Sequence, residues 1–221
     1  MLQTENITFH YKEDKHTFLF PNIVLKAQEN LLILGKSGIG KTTFLHILAG
    51  LLAPASGNVI ISGTDINSLS NSKLDKFRGQ NIGMVFQKKY AIQSLSVFNN
   101  LKARLFFSKQ PLSNPTQDTK EKTIANSKIV ALLEELDLSD CKHKKLNKLS
   151  EGQLQRLSIA MSVIHNPQVI LADEPTASLD DENCKIVIKL LKKQAKQNNA
   201  NLIVITHDSR IKSHFQNSIT L

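Results

Sequence analysis

Apolar residues are arranged along this chain in two patterns. Short unbroken runs recur at Leu31-Leu32-Ile33-Leu34, Val59-Ile60-Ile61, Ile82-Gly83-Met84-Val85-Phe86, Val169-Ile170-Leu171-Ala172 and Leu202-Ile203-Val204-Ile205. Runs this short predict buried strands, and the last two are of the kind covered on both faces of a parallel sheet. Residues 7–11 open the chain as a strand-like stretch, and residues 18–26 follow as another. Elsewhere the spacing changes to the helical period: Phe44, Leu45, Leu48 and Leu51-Leu52 after Lys41, and again from Asn183 to about Gln197. Strand, helix, strand over the last third predicts a βαβ unit with ligands at the carboxyl ends of the strands. Residues 97–165 read mostly helical, broken at 111–119, where Pro111 and Pro115 predict a loop. We expect this stretch to form a helical subdomain, inserted in one domain that spans residues 1–221.

Composition changes this picture little. A chain of 221 residues with 41% hydrophobic and 21% charged residues suits one globular domain that needs no disulfide or structural metal. Cys141 and Cys184 stand alone and suit a reducing cytoplasm. No apolar run approaches the ~18 residues that cross a bilayer. The start, Met1-Leu2-Gln3-Thr4-Glu5-Asn6, lacks the basic and apolar blocks of a signal peptide. The expected location is cytoplasmic, with any membrane role arising through a partner.

The net charge of +9 would attract nucleic acid or anionic headgroups, or simply mark a solvated lysine-rich surface. The lysines are scattered, and Lys189, Lys192, Lys193 and Lys196 read as the wet face of a helix. No aromatic residues interleave with them as a single-strand platform requires, so no specific nucleic-acid partner is expected.

Candidate chemistry begins at Gly35-Lys36-Ser37-Gly38-Ile39-Gly40-Lys41-Thr42, which follows a predicted strand and opens a predicted helix. Glycines let successive N–H groups curl toward phosphate oxygens, the helix start adds its positive end, Lys41 adds a point charge and the Thr42 hydroxyl suits Mg²⁺. At the end of a buried strand stand Asp173 and Glu174, able to hold Mg²⁺ through water and to activate a hydrolytic water, or merely to cap a helix. Leu149-Ser150-Glu151-Gly152-Gln153 fits a capping box, with Leu154, Leu157, Met161 and Ile164 continuing an apolar stripe; local structure explains it without any ligand.

Taken together and in this order, these motifs resemble the nucleotide-binding domains of ABC ATPases over nearly the whole chain. Residues 35–43, including Thr43, resemble Walker A; 149–153 resemble the signature motif; 169–174 look like Walker B with its catalytic glutamate; Ser178-Leu179-Asp180 resembles the D-loop. The implied fold is α/β: a P-loop NTPase core with a mostly parallel sheet, an N-terminal antiparallel β region and an inserted helical subdomain.

The resemblance implies ATP and Mg²⁺ as cofactors, with Glu174, His207 and Lys41 catalytic and Thr42, Gln87 and Asp173 around the metal. Gln87 resembles the Q-loop glutamine, though it also reads as a polar strand end. His207 resembles the switch histidine, though a strand-end histidine is often a cap. Tyr11 is similar to the aromatic that stacks on adenine, with Phe9 and Phe18 as alternatives. The resemblance further implies a head-to-tail dimer with a second copy or a homologous subunit, in which Ser150, Gly152 and Gln153 reach ATP across the interface and Asp180 contacts the partner.

Glu151 departs from the pattern, since many members of the family have glycine there. About 5 Å from a γ-phosphate its carboxylate would be repelled by roughly 3 kcal/mol per unit charge, against about 0.3–1 kcal/mol gained from the helix dipole. Glu151 is therefore expected to face solvent.

Two classes of function follow: the energy subunit of a membrane transporter with permease-type subunits, peripheral on the inner face of the cell membrane, or a soluble ATPase that drives assembly. The interval from Lys41 to Ser150 holds neither a heptad run nor a cysteine cluster, unlike repair and chromosome-organising relatives. The stretch Leu171-Ala172-Asp173-Glu174-Pro175-Thr176 looks most like the group serving lipoprotein release, macrolide export and cell division. A binder without turnover is disfavoured by the presence of both Glu174 and His207.

Overall fold

The computed structural model describes residues 1–11, 16–87, 90–108, 115–177 and 179–221, with the backbone alone over 115–122. The two predicted apolar runs near the C-terminus are the centre of a five-stranded parallel sheet. Its order is β10 (Asn217–Thr220), β4 (Asn30–Leu34), β9 (Asn201–Thr206), β8 (Val169–Asp173) and β7 (Ile82–Val85). All five residues of β8 and all six of β9 are buried, as strands covered on both faces must be.

Alternate residues of the parallel strands enter two different cores. Leu32, Val85, Ile170, Ala172, Leu202 and Val204 face a helical layer built from α3 (Val97–Ser108), α4 (Pro115–Glu135), α5 (Glu151–Val163) and α6 (Asp181–Gln197). Leu31, Ile33, Leu171, Ile203 and Ile205 face α1 (Lys41–Leu48) and an antiparallel sheet. In that second sheet β1 (Leu2–Phe9) pairs with β2 (Phe18–Leu19), β3 (Val24–Leu25) and β5 (Ser56–Ile61), and β5 also pairs with β6 (Thr64–Asp65).

Three expectations shift. The opening strand starts five residues early, at Leu2, because β5 pairs with β1 from Leu2 to Thr8, with a bulge between Glu5 and Thr8. The stretch 18–26 is two short strands, since Pro21 offers no N–H and the Ile23 carbonyl instead accepts from the Thr4 N–H at 2.9 Å. The predicted loop at 111–119 ends sooner: α4 begins at Pro115, a residue suited to a first helical turn because its missing N–H would have had no partner there. Residues 111–114 lie outside the described residues.

α2 (Asn71–Asn81) was not anticipated. It has no fully buried residue and leans on the core only through Leu74 and Phe77.

Two contacts fix the helical layer to the sheet. A Cβ at Gly83 in β7 would stand 2.1 Å from the Ser162 carbonyl oxygen, so α5 crosses the bare backbone of the strand. Arg104 of α3 donates to the carbonyls of Gly79 and Ile82 (both 3.4 Å) and lies 3.0 Å from His165 Nε2. Burial, with Arg104 beside it, lowers the His165 pKa to about 3, so the imidazole is neutral there.

Candidate functional site

The carboxyl ends of four parallel strands deliver the site. β4 runs into Gly35, β7 leads to Gln87, β8 ends at Asp173 beside Glu174, and β9 ends at Thr206 beside His207. An open cleft of about 720 Å³ lies over these ends, and its lining includes Tyr11, Lys41, Thr42, Gln87, Glu174 and His207.

The glycine-rich loop curls because Gly38 (φ 83°) and Gly40 (φ 102°) take left-handed backbone conformations. Gly40 is the N-cap of α1 and makes no side-chain cap, so the first N–H groups of the helix are available to an anion. A Cβ at Gly40 would meet Phe18 at 2.7 Å, and one at Gly35 would meet Ile39 at 2.9 Å. Ile39 itself is well exposed.

Lys41 is buried, and its ammonium donates to the carbonyls of Gly35 (2.8 Å) and Lys36 (3.0 Å) and stands 3.7 Å from Glu174 Oε1. The loop thus braces its own cation at the floor of the cleft. Tyr11 sits half exposed on the rim; its hydroxyl is 2.9 Å from Thr43 Oγ1, and its ring meets Phe9 and Phe18 edge to face. An aromatic rim of this kind offers a flat base a stacking surface.

Glu174 is held from four sides. Its carboxylate accepts from Thr206 Oγ1 (2.6 Å), from the His207 N–H (3.1 Å) and from His207 Nδ1 (2.9 Å), and faces the Lys41 ammonium. Beside a carboxylate, Nδ1 carries the ring hydrogen. Glu174 also has φ 46°, a conformation that costs a side-chain-bearing residue energy and that recurs at functional sites. Thr206 was not anticipated; the polar Thr206-His207-Asp208 directly after an apolar run was the available signal.

Asp173 is buried behind Thr42, whose hydroxyl donates to it at 3.4 Å. Burial first, and then the neighbouring Glu174, push its carboxyl above the usual range, against the opposing Thr42 bond and the positive groups nearby. A buried carboxylate with a hydroxyl oxygen at its side suits a hard cation with oxygen ligands. Among the described residues there is no cluster of three or more His, Cys, Asp or Glu placed to hold a metal alone. The fit is to an ion that takes few protein ligands and completes its shell with water and phosphate, the habit of Mg²⁺.

The signature-like residues do not line this cleft. Ser150 is the N-cap of α5, and the capping box is fully formed: Ser150 Oγ accepts from the Gln153 N–H (3.2 Å), and Gln153 Oε1 accepts from the Ser150 N–H (2.9 Å). The Ser150 hydroxyl proton is not used in that cap. Glu151 is exposed, as expected.

A Cβ at Gly152 would meet nothing nearer than 3.7 Å, so packing does not explain a residue that weakens a helix by about 0.5–1 kcal/mol relative to alanine. Asp180 caps α6 through the Asn183 N–H (2.8 Å), the bond that chiefly holds its carboxyl below the ordinary range. Ser178 lies outside the described residues.

A second groove of about 400 Å³ opens between α2, β7, α3 and α5. Apolar Met84, Phe86, Tyr90 and Phe107 line it, together with Arg78 and Arg104.

Comparison with known proteins bears on this geometry. The sequence model of the ABC transporter family matches residues 21–177. The lipoprotein-releasing system ATP-binding protein of Buchnera aphidicola is 33% identical over 206 residues, 92% of this chain and 86% of that protein. Its counterpart from Syntrophus aciditrophicus is 33% identical over 224 residues, 100% of this chain and 96% of the other. A solved dimeric ATP-binding cassette in a post-hydrolysis state with ADP and Pi has a TM-score of 0.84 and 31% identity, covering 100% of this chain and 94% of that one. A subunit of an ABC transporter complex from Clostridium perfringens also reaches 0.84, at 28% identity, over 99% and 83% of the two chains.

Proposed function

The chain belongs to the ABC transporter family as an ATP-binding subunit of the lipoprotein-release type, and from that premise we propose that two copies close head to tail around ATP and drive an integral membrane partner. The chain is an ATPase, and its reaction is transfer of the terminal phosphoryl group of ATP to water.

The residues divide the work as follows. The N–H groups of the loop at 35–40 and of the start of α1 receive the phosphates, with Lys41 as their counter-charge. Tyr11 offers its ring to adenine. Thr42 and Asp173, with Gln87 at the cleft wall, hold Mg²⁺. When bound, that ion neutralises charge on the phosphate oxygens. Glu174, oriented by Thr206 and His207, takes a proton from the attacking water, and His207 stands beside the transferred group.

What carries the head-to-tail reading is a division of the site. One chain supplies everything on the cleft, while Ser150 and Gly152 stand outside it at the start of α5, with an unused hydroxyl proton and a glycine that packing does not require. Both features make sense if the phosphate of the other subunit arrives there. Asp180, at the start of α6, then lies toward the partner copy, and residues 97–165 act as the subdomain that carries Ser150 to it.

The exposure of Glu151 yields a direct expectation. Glu151→Gly hydrolyses ATP within about two-fold of the wild-type rate and loses about 1–2 kcal/mol of stability, from its favourable place at the helix start and from glycine in the helix. Faster turnover in the glycine variant at unchanged stability would show that Glu151 opposes the phosphate.

The groove at Met84, Phe86, Tyr90 and Phe107 is proposed as the seat of the membrane partner, with the segment that follows Gln87 at its edge; Lys88 and Lys89 lie outside the described residues. No helix among the described residues is long and apolar enough to cross a membrane; the proposed attachment to the inner face of the membrane is through that partner. The proposed cargo class follows the relatives, which belong to lipoprotein-releasing systems: lipoproteins. The chain is expected to co-purify from gently solubilised membranes with an integral membrane protein, identified by mass spectrometry. Recovery solely with soluble proteins would favour an assembly ATPase instead.

A further inference from the structure

We propose that Arg210 is a positioning residue that holds the chain between Glu174 and α6 in register with His207. The inference rests on the ATPase reading above. Arg210 lies in the short 3₁₀ helix Ser209–His214, three residues beyond His207. Its Nε and Nη2 donate to the two oxygens of Asp208, at 2.9 and 2.8 Å. Its Nη1 donates to Asp181 Oδ1 in the first turn of α6, at 2.5 Å, and both Nη atoms reach the Leu179 carbonyl at 3.4 Å. One planar fork thereby joins the turn after β9, the Leu179 backbone and the start of α6.

The chain of contacts continues to the reacting centre. Asp208 Oδ2 accepts from Thr176 Oγ1 (3.0 Å), and the Asp208 N–H donates to Thr206 Oγ1 (2.9 Å), which in turn donates to Glu174 Oε2 (2.6 Å). The Asp208 carboxylate is held below its ordinary range chiefly by the Arg210 side chain, so it stays charged against the guanidinium. Glu174, His207 and the start of α6 are thus linked by consecutive hydrogen bonds, and Arg210 closes the link on the side away from the cleft.

Stability alone does not account for this arrangement. The Asp181 side chain is 77% exposed, so its pair with Arg210 contributes about 0–1 kcal/mol, whereas that of Asp208 is only 8% exposed and its pair with Arg210 does contribute to stability. A two-pronged pair does, however, fix orientation, and small misplacements of groups around a reacting centre lower rates far more than they lower stability.

The test uses the full chain. Wild-type ATP turnover, and its loss in Glu174→Gln, establish the underlying reading independently of Arg210. Arg210→Ala is then expected to lower kcat about ten-fold or more with the KM for ATP within about two-fold, while the melting temperature falls by a few degrees as Asp208 loses its partner. Arg210→Lys, which keeps the charge but lacks the fork, should recover less than half of the lost rate. Arg210→Ala with Asp181→Ala should be no slower than Arg210→Ala alone.

If Arg210→Ala fails to fold, the Arg210→Lys variant supplies the same comparison of kcat with KM. A wild-type kcat in Arg210→Ala, full rescue by lysine, or a fall in kcat matched by an equal fold loss in ATP affinity would each overturn the proposal.

Discussion

A Glu174→Gln protein is expected to lose ATP turnover by about 10²–10⁴-fold, the range that general-base catalysis supplies, while still binding ATP and accumulating with it as a dimer. The surroundings of the carboxylate explain why one atom's change should act so selectively. An amide oxygen in place of Oε1 still accepts from the His207 N–H and Nδ1, which stand at 3.1 and 2.9 Å. An amide nitrogen in place of Oε2 meets the Thr206 hydroxyl, now at 2.6 Å, and that hydroxyl can turn to accept, since it carries two lone pairs and takes one bond from the Asp208 N–H. The frame survives, and only the proton acceptor is lost. Single-turnover hydrolysis and gel filtration with and without ATP read the two parts separately. A Glu174→Gln protein that hydrolyses at the wild-type rate removes Glu174 from its role, and one that remains monomeric with ATP removes the dimer.

The second large effect is expected at Lys41. Lys41→Ala should weaken ATP binding by about 10²-fold or more, because charge-assisted bonds are worth about 1.5–3 kcal/mol each and this cation faces several phosphate oxygens. The loss is compounded inside the protein. The carbonyls of Gly35 and Lys36 lose the donor that braces them at 2.8 and 3.0 Å, and Glu174 loses the cation 3.7 Å away. Arginine should not rescue, since its wider planar fork does not fit between two loop carbonyls that receive one ammonium. Titration with a fluorescent ATP analogue measures the effect; unchanged affinity in Lys41→Ala would refute the role assigned to the loop.

The parallel strands and the glycine loop were legible in the sequence because their cause is local. β8 and β9 are buried on both faces, and that condition writes itself as unbroken apolar residues. The loop likewise needs glycines at positions with φ 83° and 102°, whatever lies elsewhere in the chain. α2 was invisible because it buries nothing fully and so carries no apolar stripe. The two-piece pairing of β1 with 18–19 and 24–25 depends on where Pro21 falls against a partner strand, which no local pattern encodes.

The same distinction divides the site. Lys41, Asp173 and Glu174 stand in recognisable runs, whereas the Thr206 bond to Glu174 joins residues 32 apart, and the Arg210 bond to Asp181 joins residues 29 apart. Ser150 was legible twice over, as a helix cap and as a member of the signature-like motif. The structure shows the cap, which uses the oxygen and leaves the proton to the second, proposed role.

The crossing of α5 over Gly83 has a mechanical meaning. With the Ser162 carbonyl resting on a strand residue that has no side chain, the helix has a fulcrum near one end and Ser150 at the other. Twelve residues of helix separate them, about 18 Å at 1.5 Å per residue, so a tilt of about 10° at the fulcrum swings Ser150 through about 3 Å. That travel is of the order of one hydrogen-bond length. An occupant of the neighbouring groove that tilted α5 about this contact would thus move Ser150, at the far end, by enough to make or break a hydrogen bond.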